Sequence, residues 1–86
     1  MPRIRYELSA HAVTVIAERE IEAAWIERVL ERPERTEPDR TDPSLVHALG
    51  PVPERGNRVL RVVYNPAMKP LRVVTAYLDR RRRGQT

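Results

Sequence analysis

Two segments leave this chain few choices of fold. NRVLRVVY (Asn57–Tyr64) and LRVVTAYL (Leu71–Leu78) are dense in β-branched residues, and the proline-bearing loop NPAMKP joins them. Such runs with a short connection predict two antiparallel strands. Neither alternates cleanly between polar and apolar, so both faces of the sheet they form should be partly covered. A sheet of this kind in 86 residues needs a second layer, and the rest of the chain must supply it.

The N-terminal half reads as helical. RIRYEL (Arg3–Leu8) is a short strand or extended lead-in, and Ser9 is a good N-cap for the helix that follows. Ala12, Val13, Val15, Ile16 and Ala17 form a wide apolar face there, with His11, Thr14 and Glu18 outside it. A second helix runs from about Glu22 to Arg32, with Ile21, Trp25 and Val29 in one apolar row and Ile26 and Leu30 beside it. Pro33 stops it, because proline disfavours helical geometry in the preceding residue. Trp25 is the expected anchor of a small core.

PERTEPDRTDP reads as loop with a short edge strand around Arg35 to Glu37, since Pro38 and Pro43 keep it out of a central strand. SLVHALG (Ser44–Gly50) is a further strand, and PERGN (Pro53–Asn57) a turn. The expected architecture is α+β: two N-terminal helices on one face of a three- to four-stranded antiparallel sheet. One domain is expected over residues 1–79, with a basic tail over 80–86 that begins with the run Arg80–Arg83.

Composition narrows the function classes. Without phenylalanine the core must be aliphatic, and without cysteine there is neither a disulfide framework nor a thiolate metal site. No apolar run approaches a membrane span, and the N-terminus lacks the apolar region of a signal peptide, so a cytoplasmic location is expected. A formal charge of +4 and a pI of about 10.3 suggest an anionic partner. The three glycines are scattered, so no phosphate-binding loop is present, and Ser9 and Ser44 lack a nucleophile-elbow setting. Asp39 and Asp42 share a loop and could hold a cation only weakly; no metal or other cofactor is expected.

Histidine, arginine and hydroxyl chemistry remains, and it suits metal-independent RNA cleavage. The 2′-hydroxyl attacks the adjacent phosphorus, a base takes its proton, and cations stabilise the added negative charge. His11 would occupy the second position of the first helix, where the dipole favours a neutral imidazole. Arg61 lies inside an apolar strand, on the face opposite Leu60 and Val62. It must pair with a carboxylate, snorkel out, or present its guanidinium to a ligand. Thr75 sits on the next strand between Val74 and Ala76; threonine is in any case a good strand residue.

The ordered set of a first-helix His-Ala, Arg19 with Ile21 two residues on, VLERPE, LRVVY and VVTAY resembles a small-domain family related to the BrnT toxins. Those toxins belong to the barnase–EndoU–colicin–RelE-like group of ribonuclease folds. The resemblance runs from about Tyr6 to Arg82. It implies two helices followed by an antiparallel sheet, and a toxin-like endoribonuclease restrained by a cognate antitoxin. RNA, including ribosome-associated mRNA, would be the substrate. By position it assigns catalytic roles to His11, Arg19, Arg61 and Thr75, with His47 on the second strand as a further proton carrier. Two positions depart from the pattern. The glycine after the arginine is Glu20 here, and Val15 stands where many members carry arginine. A non-catalytic module of the same fold, binding nucleic acid or protein, is the alternative, and the exposed edges of a small sheet also allow a homo-oligomer.

Overall fold

A computed structural model describes residues 4–83, the last four by their backbone alone. Strand β1 (Tyr6–Leu8) leads into helix α1 (Ala10–Glu18), and α2 (Ala23–Glu31) follows. The sheet is then completed by β2 (Arg35–Pro38), β3 (Val46–Val52), β4 (Arg58–Asn65) and β5 (Leu71–Arg83). The strand order is β1-β5-β4-β3-β2.

The class is the expected α+β, with two corrections. The sheet has five strands rather than three or four, and it is mixed: β1 lies parallel to β5, while all other pairs are antiparallel. The physical reason is that α1 carries the chain from β1 across one face before the meander begins, so β1 joins the sheet through a crossover and not a hairpin. Strand β5 continues to Arg83, into the stretch where the basic tail is expected to begin. Arg3, the side chains of residues 80–83 and residues 84–86 lie outside the described residues. Among the described residues, no helix is long and apolar enough to cross a membrane.

Each helix is placed by local chemistry. Ser9 caps α1 as expected, accepting the Ala12 N–H at 3.1 Å while its own N–H donates to the Val73 carbonyl. This ties the helix start to β5. At the other end Ile21 N–H reaches the Ile16 carbonyl and Glu20 N–H the Ala17 carbonyl, the paired bonds of a Schellman motif. The residue that motif places in the left-handed region is Glu20, at φ 55°. The glycine absent from the sequence pattern is therefore absent from the position that most favours one.

The expected apolar face of α1 is narrower than read. Ala12 and Val15 are buried and Ile16 partly so, but Val13 is 53% exposed and Ala17 also faces solvent. Helical steps of 100° carry Val13 off the stripe that touches the sheet. On α2, Trp25, Ile26, Val29 and Leu30 are all buried. They pack with Ala12 on Ala48, Val52, Leu60, Val62, Val73 and Ala76 of the sheet. Gly50 lets α2 come close, since a Cβ there would sit 3.2 Å from Val29 Cγ2.

The other face of the sheet positions the site. In register across it run Glu37, His47, Val63 and Thr75 in one row, and Arg35, Leu49, Arg61 and Tyr77 in the next. A β-bulge makes this possible. Val63 pairs with Thr75 but Tyr64 pairs with Val73, so Val74 is an extra residue on β5. The inserted residue resets the alternation. Val73, Ala76 and Leu78 thus face the helices, leaving Thr75, Tyr77 and Asp79 on the opposite side.

Candidate functional site

Arg61 is the hub of the helix-free face. Its Nη1 donates to His47 Nδ1 at 2.8 Å and to Glu37 Oε1 at 3.3 Å, and its Nη2 donates to Asp79 Oδ2 at 3.1 Å. His47 and Asp79 are diagonal neighbours on the flanking strands β3 and β5, and Glu37 lies one strand further out on β2, within reach of a long side chain. Burial disfavours the Arg61 cation, but the bonds to Asp79 and Glu37 and the nearby Tyr77 outweigh it and leave the pKa raised. Asp79 is itself 5% exposed, the sole charged residue among the buried ones of the described residues. Arg61 Nε is buried with no hydrogen-bond partner among the described residues.

His47 uses both ring nitrogens. A guanidinium can only donate, so Nδ1 is the acceptor and the proton sits on Nε2. That Nε2–H donates to Asp39 Oδ1 at 2.7 Å. Asp39 is held for this role by its own loop. Its Oδ2 accepts from the backbone N–H of Thr41 and Asp42 and from the Thr41 hydroxyl. Asp42 in turn accepts from the N–H and hydroxyl of Ser44. These are the local side-chain bonds that aspartate offers in turns. The hydrogen bond from His47, then those from the Asp42 and Thr41 amides, hold the Asp39 carboxyl well below the usual carboxylate range. Asp39 and Asp42 are thus engaged by the loop itself, and not set up as a cation pair.

The loop walls a cavity of about 550 Å³, with Asp39, Arg40 and Thr41 on one side and Glu37, His47, Arg61, Tyr77 and Asp79 on the sheet. Among the described residues, no three histidine or carboxylate side chains are grouped as metal ligands.

The five sequence-derived candidates separate into three places. His47 and Arg61 are in direct contact. Thr75 shares their face and lies in the same cross-strand row as His47 with Val63 between, two strand spacings or about 10 Å away along the sheet. Arg19 closes the C-terminal end of α1, donates from Nη1 to the Ala76 carbonyl at 2.8 Å and lies 5.9 Å above the Tyr77 ring centroid. His11 is exposed in the first turn of α1, on the helix-bearing side, and does not line the His47 cavity. Val15 is buried, so in this chain the place of the expected arginine does not face an open site.

Sequence reasoning passed over Glu37, Asp39, Tyr77 and Asp79 as site residues. Period-two counting back from Asp79 through Tyr77 to Thr75 would have put all three on one face. The Asp39–His47 contact depends on a loop closing over eight residues, and no sequence period reports that.

Comparison with known families settles the chain's kinship. Residues 8–78 match a family described as a domain of unknown function, DUF4258. The chain belongs to the DUF4258 family. No curated protein and no solved structure matches it. The span matched by the DUF4258 description includes both helices and the whole Asp39–His47–Arg61 cluster, and it ends one residue before Asp79.

Proposed function

We propose that this DUF4258 domain cleaves RNA without a metal, as the resemblance to the BrnT-related ribonuclease folds implies, and that it does so through the helix-free face of its sheet. The observation that carries the reading is the Asp39–His47–Arg61 chain of contacts, with links of 2.7 and 2.8 Å. It joins a proton carrier, a carboxylate that orients and stabilises it, and a phosphate-seeking cation. When a phosphate draws the guanidinium, His47 Nδ1 is uncovered and takes the proton of the 2′-hydroxyl. The 2′ oxygen then bonds to phosphorus and the bond to the 5′ oxygen breaks, with water supplying that oxygen's proton. Asp39 stabilises the resulting imidazolium, as the carboxylate of a histidine–carboxylate pair does, until His47 gives its proton to the hydroxide left by that water. His11 is outside this scheme, and Thr75 flanks it.

The test is incubation of the purified chain with RNA in chelator. Wild type and His11→Ala should cleave alike, and His47→Ala should lose on the order of 10²–10⁴-fold in rate. Equal rates for wild type and His47→Ala, or no cleavage by wild type, would refute the reading.

One observation favours a second reading, a non-catalytic nucleic-acid-binding module. Arg61 is already bonded to Glu37, Asp79 and His47, so a phosphate must compete with partners in place. That reading predicts salt-dependent RNA binding without turnover.

A further inference from the structure

Carboxylates are unevenly distributed around Tyr77. The His47 cavity sets Glu37, Asp39 and Asp79 against Arg40 and Arg61. A second cleft that shares Tyr77, of about 360 Å³, is lined by Arg19, Arg55, Arg58, Tyr77 and Leu78, with no acid among them. Among the described residues, none of these three arginines has a carboxylate within ion-pair distance. Two of them are held in place by other means. Arg19 is bonded to the Ala76 carbonyl and lies over the Tyr77 ring at cation–π distance, and Arg55 lies 5.9 Å above the Trp25 ring. Among the described residues, the Ala76 carbonyl is the only acceptor these guanidinium groups have, and a guanidinium already held beside a ring loses less freedom on binding a phosphate.

We propose that the Arg19–Arg55–Arg58 cleft binds the backbone of single-stranded RNA and leads it across Tyr77 toward His47. Three clustered cations without acids select a polyanion. Tyr77 lines the cleft with an aromatic ring on which an unpaired base can stack, which selects a single strand over a duplex. Tyr77 lines both the cleft and the cavity, so the path between them is short. The assignment rests on the chain acting on RNA, and not on the proton chemistry of His47.

The test is fluorescence anisotropy of the full chain with a labelled, fully 2′-O-methylated single strand, which cannot undergo 2′-hydroxyl attack. Arg55→Gln combined with Arg58→Gln should weaken binding by about tenfold or more and flatten the salt dependence by about 0.7 per lost phosphate contact. Arg28→Gln removes a cation that pairs with Glu54 outside the cleft, and should bind as wild type does. Thermal melts confirm that the variants fold. Undiminished binding by the double variant would overturn the assignment, as would tighter binding of duplex RNA or of an acidic peptide. Binding lost in the double variant, with no RNA cleaved by any form, would support the cleft and end the cleavage proposal. Cleavage by wild type, with binding unchanged in the double variant, would do the reverse.

Discussion

Asp39 links loop to chemistry in a single side chain. One oxygen closes the turn through Thr41 and Asp42, and the other holds His47. Its carboxyl is depressed below the ordinary value of 3.8, so the folded state prefers the ionised form. The sign follows from linkage: its contribution to stability is complete above about pH 4 and is lost as pH falls through the folded value. Asp39→Asn should therefore lower the melting temperature at neutral pH, and the gap to wild type should close as the pH drops below about 4. Thermal melts across that range check this, and a gap independent of pH would contradict it. The same variant should cleave RNA far more slowly, since the amide cannot stabilise an imidazolium.

At the scale of elements, the turn between the helices makes a sharp prediction. Glu20 sits at φ 55° in the Schellman motif that ends α1. A left-handed non-glycine residue costs about 1–2 kcal/mol; glycine removes that strain, but its greater entropy loss on folding offsets roughly 0.5–1 kcal/mol of the gain. Glu20→Gly should therefore stabilise the chain by about 0.5–1 kcal/mol, read as a higher urea midpoint at unchanged slope. A lower midpoint would show that the Glu20 side chain matters in ways its backbone does not reveal. Elements are also where the sequence was most legible. The Ser9 cap, the Trp25 row and the β4–β5 pair follow from periods and caps, which are local. The bulge at Val74 was visible only as an unclean alternation. The parallel β1–β5 pairing was not legible at all, because it joins segments 65 residues apart (Tyr6 with Leu71) and no local pattern encodes it.

At the scale of the molecule, the helices and the sheet divide the labour. The core against α1 and α2 is aliphatic with one tryptophan, and it accounts for stability. The opposite face holds charges between buried Leu49, Val59 and Val63. Half of the site was legible in the sequence for this reason. An arginine within an apolar strand is conspicuous anywhere, and Arg61 is the hub. His47 is less conspicuous than His11 because its partners, Asp39 of the 39–45 loop and Arg61 of β4, are brought to it only by the loop's closure and the strand register. His11 had the more suggestive local context, but a favourable helix position says nothing about which neighbours the fold supplies.

The central claim is that this face cleaves RNA through the 2′-hydroxyl. The most direct measurement uses a short RNA the wild-type chain cuts, remade with one 2′-deoxynucleotide on the 5′ side of the scissile bond and incubated in chelator. Cleavage at that bond should vanish while neighbouring bonds are still cut, and the all-RNA products should end in a 2′,3′-cyclic phosphate. Cleavage at the deoxy-substituted bond, or the absence of any RNA cut by wild type, would contradict the account.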